Sequence, residues 1–111
     1  MGELGLTTVQ RRELEAILAT QVPEARVVAF GSRARGDHRL GSDLDLLLEA
    51  QGRVPLQRLL DLHAALGESA LPFRVDVVDG NAAAPAFVAA IRGGSTVILR
   101  EAPGAWRPTS S

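Results

Sequence analysis

The sequence predicts an α+β domain of two layers, a small mixed sheet with helices packed on one face. Three observations carry that expectation. Short strand-forming runs occur at 26–30, 43–49 and 73–78, with 96–99 as a fourth, and each is set off by Gly, Pro, Ser or Asp. Around them lie stretches in which apolar residues recur at helical spacing. The chain has 111 residues and 46% hydrophobic content, enough for one modest core and not for two. Residues 1–101 are expected to form this domain. Residues 102–111, rich in Pro, Gly and Ser, are expected to be a flexible tail with Trp106 as its one large apolar anchor.

In chain order, Thr7 is placed to cap a first helix, with Gln10 completing a capping box and Leu14, Ile17 and Leu18 facing inward. That helix should run to about Gln21 and stop before Pro23. A strand at Arg26 to Phe30 leads into the turn Gly31-Ser32 and a short helical segment near Arg33 to Arg35. Gly36 to Gly41 reads as a solvated connector, although His38 or Arg39 in it could rim a site. The second strand, from about Asp43 to Glu49, ends at Gly52, Arg53 and Pro55. A second large helix follows, with Leu56, Leu59, Leu60, His63 and Leu66 on one stripe. Gly67 ends it, and Phe73 to Asp79 forms a third strand before the turn at Gly80. Asn81 is expected to cap a last helix with Phe87, Val88 and Ile91 inward, followed by a strand from Thr96 to Leu99.

Chemistry concentrates between Phe30 and Glu49. Gly31 and Ser32 sit where an apolar strand must turn, and backbone amides at such a turn can face an anion. Ten residues after Ser32, Asp43 and Asp45 open the run Leu44-Asp45-Leu46-Leu47-Leu48. Residues two apart in a strand share a face, so the two carboxylates point the same way and repel unless a cation lies between them. The pair calls for a metal. Oxygen donors suit magnesium or manganese, while the absence of cysteine and of paired imidazoles disfavours zinc. Asp76 interrupts a strand-forming run, where a lone aspartate is unfavourable without a purpose. If the third strand lies beside the second, Asp76 joins Asp43 and Asp45; Asp79 faces the other way and suits a turn. His63 and its surroundings offer no second His or Cys at metal-binding spacing.

The pattern Gly31-Ser32-Arg33-Ala34-Arg35-Gly36, then Ser42-Asp43-Leu44-Asp45-Leu46, resembles the signature of the DNA polymerase beta-like nucleotidyltransferase superfamily, and in particular its minimal nucleotidyltransferases. The resemblance extends from about Thr7 to Arg100. It implies the two-layer nucleotidyltransferase fold and transfer of a nucleoside monophosphate, AMP from ATP or another NTP, to an acceptor hydroxyl with release of pyrophosphate. It implies two Mg2+ ions about 3.5–4 Å apart, with Mn2+ as a substitute, held by Asp43, Asp45 and Asp76. Gly31 and Ser32 would cradle the β and γ phosphates and Asp76 would help to deprotonate the acceptor. Arg33 and Arg35 face apart on one short helix, and Arg33, nearer the turn, is the expected phosphate contact; either could instead pair with Asp37 or Glu49. The partner implied is a HEPN-domain toxin, which would make this chain an antitoxin, and a contact-only module with weak or no catalysis is the alternative.

Composition excludes several other classes. A net charge of −1 predicts no direct nucleic-acid binding of the sequence-independent kind, so any nucleotide must be held locally. With no cysteine there is no thiol nucleophile or disulfide, which suits a cytoplasmic protein. No apolar run reaches membrane-spanning length, and Met1 to Gly5 lacks the features of a signal peptide. There is no Gly-Lys-Ser or Gly-Lys-Thr phosphate loop and no calcium loop. Glycosyltransferases and aminoglycoside-modifying transferases with acidic pairs need more chain than this. A shallow site on so small a domain fits a homodimer or hetero-oligomer that excludes water.

Overall fold

The computed structural model describes residues 3–102. The expected tail at 102–111, with Trp106, lies almost wholly outside the described residues. A single 3-10 turn at Glu3–Gly5 precedes helix α1 (Thr8–Gln21), strand β1 (Arg26–Phe30), a one-turn helix α2 (Ser32–Arg35), strand β2 (Leu44–Glu49), helix α3 (Leu56–Gly67), strand β3 (Val75–Asp79), helix α4 (Pro85–Gly93) and strand β4 (Val97–Arg100). Helix α1 starts as its sequence directs: Gln10 N donates to the Thr7 hydroxyl and Thr7 N donates to Gln10 Oε1, both at 3.0 Å.

The sheet order is β3-β2-β1-β4. Strand β1 runs antiparallel to β2 and to β4, whereas β2 and β3 are parallel, joined by the α3 crossover. Alternation along the strands sorts the side chains into two faces. Val27, Ala29, Leu44, Leu46, Leu48 and Val75 face Leu14 and Leu18 of α1 and Leu62 and Leu66 of α3, forming the main core. Each of the fully buried leucines contributes roughly 1.5–3 kcal/mol of transfer free energy. Arg58 of α3 fastens the two helices together, donating to Gln21 O at 3.0 Å and pairing with Glu24.

The expected helical layer is therefore α1 and α3. Helix α4 packs on the opposite face, where Val88 and Ile91 meet Val28 and Leu47. It covers only part of that face. Its Arg92 reaches Glu49 at the end of β2, with Nη2 and Nε donating to Oε2 at 2.7 and 2.9 Å, and Arg26 Nη1 lies 3.7 Å from Oε1. Glu49 is 5% exposed, and these two arginines are its ion-pair partners. Glu49→Ala is expected to cost about 2–3 kcal/mol, somewhat below the usual penalty for breaking a buried pair because both arginines keep some water. A urea unfolding midpoint reads this directly, and an unchanged midpoint would remove the clamp from the description.

Other expectations are corrected by packing. Asn81 does not cap α4. Its side chain donates to Ala50 O and Gly52 O at 2.8 and 2.9 Å, and the helix begins behind Pro85 with Ala84 at the cap position. Phe87 is half exposed, and only Val88 and Ile91 of the expected inward set are buried. In α3 the inward stripe is Leu59, Leu62 and Leu66, while Leu56, Leu60 and His63 face solvent. Two adjacent leucine stripes fit one helix, and periodicity alone cannot choose between them. Asp79 has the turn role expected of it, accepting from Asn81 N and Val54 N at 2.9 and 2.8 Å.

Candidate active site

The half of the sheet face that α4 leaves open carries the acidic residues. Asp45 lies on this face in the middle of the sheet, directly opposite Phe30 of β1 on one side and Asp76 of β3 on the other. Asp43 precedes β2 by one residue, and Leu44 N donates to Arg74 O at 2.9 Å, so the ladder continues past Asp43. Parallel pairing of β2 with β3 thus brings Asp76 beside Asp45. The electrostatics reflect the crowding. Partial burial pushes the Asp45 carboxyl above its ordinary range, and the charges of Asp76 and then Asp43 push it further, with Arg35 opposing.

Gly31 joins the turn after β1 to this cluster. Because Phe30 pairs with Asp45, the next residue turns directly over the carboxylate. Gly31 has φ 77 and ψ −155, a region open essentially to glycine alone. A methyl group at position 31 would sit 2.5 Å from Asp45 Oδ2. The turn continues into α2, whose first internal bond runs from Arg35 N to Gly31 O. The amides of Ser32, Arg33 and Ala34 therefore have no acceptor within the helix.

Arg33 is placed otherwise than expected for a phosphate contact. It is 4% exposed, and its guanidinium donates to Ser42 O, Leu4 O and Gly5 O at 2.9, 3.0 and 3.4 Å and stacks over the Phe73 ring. Burial lowers its pKa, with the Asp43 charge opposing. A guanidinium with this many carbonyl partners holds the N-terminal turn, the entry to β2 and the entry to β3 together. Arg35, the residue passed over, is exposed, pairs with Asp37 at 3.1 Å and is the cation whose charge reaches Asp45. Nothing in the spacing distinguished the two arginines, since the choice depends on which side of one helical turn meets the core. In the connector, Arg39 and Leu40 are exposed, while His38 lies against Gly5 with a buried Nδ1 that has no hydrogen-bond partner.

Asp76 is held by a neighbour: Arg74 Nε donates to its Oδ1 at 2.9 Å. Among the described residues no three His, Cys, Asp or Glu side chains are arranged so that together they could hold a metal ion. The donors are of the kind that suits a hard cation nonetheless, because the set is all carboxylate, and the Asp76 and Asp43 charges add to the burial that raises the Asp45 pKa.

A fold with a glycine turn over an acidic strand pair defines a class, and the sequence comparison agrees: the profile described as polymerase beta, nucleotidyltransferase matches residues 12–103. The chain belongs to that nucleotidyltransferase family. More particularly, it is 32% identical over 109 residues to the probable protein adenylyltransferase MntA of Haemophilus influenzae (strain ATCC 51907 / DSM 11121 / KW20 / Rd), covering 98% of this chain and 96% of that one. A solved structure described as a candidate minimal nucleotidyltransferase is 32% identical, with a TM-score of 0.54, covering 85% of this chain and 94% of that one. A toxin-antitoxin crystal structure with AMP-PNP shares the fold at a TM-score of 0.66 and 22% identity, covering 90% of this chain and 75% of that one. No helix among the described residues is long and apolar enough to cross a membrane.

Proposed function

We propose that the chain transfers AMP from ATP to an acceptor hydroxyl on a HEPN-domain toxin, releasing pyrophosphate and so acting as an antitoxin. The observation that carries this reading is the packing of the Gly31 turn against Asp45, which sets the first amides of α2 beside the acidic cluster on an open sheet face. The relatives favour a protein acceptor: one is named a probable protein adenylyltransferase and another comes from a toxin-antitoxin crystal structure with AMP-PNP.

In this reading the free amides at Ser32 to Ala34 and the Ser32 hydroxyl bind the β and γ phosphates, and Arg35 adds charge from the exposed side of α2. Asp43, Asp45 and Asp76 would hold magnesium or manganese, which would supply positive charge to offset that of the carboxylates and of the phosphates. Asp76 takes the acceptor proton. The open face lets the partner's hydroxyl approach and lets the partner's surface exclude water.

Co-expression with a HEPN-domain toxin, followed by intact-mass measurement of that toxin, tests the proposal. The expected result is a gain of one or more AMP units that disappears with Asp43→Asn. Neutralised toxin of unchanged mass would support the contact-only module instead.

A further inference from the structure

Arg74, one residue before β3, pairs with Asp76 of the acidic cluster. Its backbone carbonyl accepts from Leu44 N at 2.9 Å, which sets residue 74 alongside the Asp43–Leu44 entry to β2. Two residues before Asp76, it shares that residue's face of the strand. Its Nε donates to Asp76 Oδ1 at 2.9 Å, while the rest of the side chain is 75% exposed. Asp76 is the only acceptor that side chain has among the described residues.

We propose that Arg74 is a positioning residue, the counter-cation of Asp76, which competes with a divalent ion for that carboxylate. This rests on the metal-dependent transfer proposed above. A carboxylate oxygen engaged by a guanidinium cannot give the same lone pair to an ion, and a positive charge beside an ion site weakens ion binding. The displacement is feasible. An exposed ion pair of this kind is worth a factor of about five or less, and a long side chain on the sheet edge can swing away. Space for it exists in a cavity of about 300 Å3 beside the pair, lined by His63, Gly67, Leu71 and Phe73. The pair thus keeps the third carboxylate compensated until ion and nucleotide arrive together.

The test is Mn2+ binding by the full chain, read from the electron paramagnetic resonance signal of free Mn2+, for the native protein, Arg74→Gln and Arg74→Lys. Arg74→Gln is expected to bind Mn2+ roughly 3–10-fold more tightly, and Arg74→Lys within about twofold of native, because it keeps the charge. The sign decides. Were Arg74 only bracing Asp76, Arg74→Gln would bind Mn2+ more weakly; weaker or unchanged affinity, with native binding intact, overturns this inference alone. No Mn2+ binding by any of the three chains, each shown folded by its melting transition, overturns the inference and the metal-dependent reading together.

Discussion

Asp45→Asn is expected to stabilise the ion-free chain and at the same time to end nucleotidyl transfer. Asp45 stands directly opposite Asp76, and burial and its acidic neighbours raise its pKa. A carboxyl whose folded pKa lies above its unfolded value is more costly to ionise in the folded state. Its penalty is absent at low pH, grows as pH rises from the ordinary carboxylate range through the raised folded value, and is constant above that. Removing the charge relieves a like-charge cross-strand pair, worth on the order of 0.2–1 kcal/mol, or roughly 1–5 °C in melting temperature. The gain should vanish near pH 3, where the raised pKa keeps Asp45 protonated, and be complete at pH 7 without divalent ions. Transfer should fall by about 10³-fold or more, roughly 4 kcal/mol of transition-state stabilisation, because an amide cannot replace a carboxylate in holding the ions. A stability gain coupled to lost activity marks a residue retained for chemistry at the expense of the fold. A variant that is less stable at pH 7 than at pH 3, relative to native, would contradict the charge crowding.

Gly31→Ala carries the second large effect, and it acts through the same carboxylate. The backbone at φ 77 and ψ −155 costs any other residue about 1–3 kcal/mol, and the added methyl would lie 2.5 Å from Asp45 Oδ2. Either the turn or the carboxylate must move. The expected result is a melting temperature lower by roughly 5–15 °C and transfer reduced by about 10²-fold in the protein that remains folded. Gly36→Ala is the matched control. Gly36 also has positive φ, at 85, but a Cβ there has nothing within 4 Å. That substitution should cost about 1 kcal/mol and leave transfer unchanged. Equal loss of transfer in both variants would mean that backbone strain, and not contact with Asp45, explains the effect.

The sequence showed most where the residue type had only one workable setting. The capping box at Thr7 and Gln10 and the near-continuous burial of the apolar runs in β1 and β2 depend on local pattern, and the structure has them where that pattern points. The neighbourhood of Asp45 and Asp76 was conditional on one topological fact, the parallel pairing of β2 with β3, which a crossover through α3 makes natural. What escaped the sequence depends on which of two similar residues faces inward. Arg33 and Arg35 are interchangeable by type, yet one turn of helix buries Arg33 under three carbonyls and Phe73 and leaves Arg35 exposed near the cluster. Leu60 and Leu62 in α3 posed the same ambiguity. Asn81 looked like a cap because asparagine favours helix starts, but carbonyls 29 and 31 residues away, at Gly52 and Ala50, claimed its side chain. The Arg74 to Asp76 pair was visible as an i, i+2 spacing in a strand, but its meaning depends on the neighbouring strand being acidic.

The central claim is that the Gly31 turn and the aspartates beside it form one ion-dependent nucleotide site. Calorimetric titration of a non-hydrolysable ATP analogue, with and without Mg2+, into the native chain and into Asp43→Asn tests it most directly. Binding that requires Mg2+ and is lost in Asp43→Asn is the predicted result. Binding of equal strength without Mg2+, or unaffected by Asp43→Asn, would contradict it.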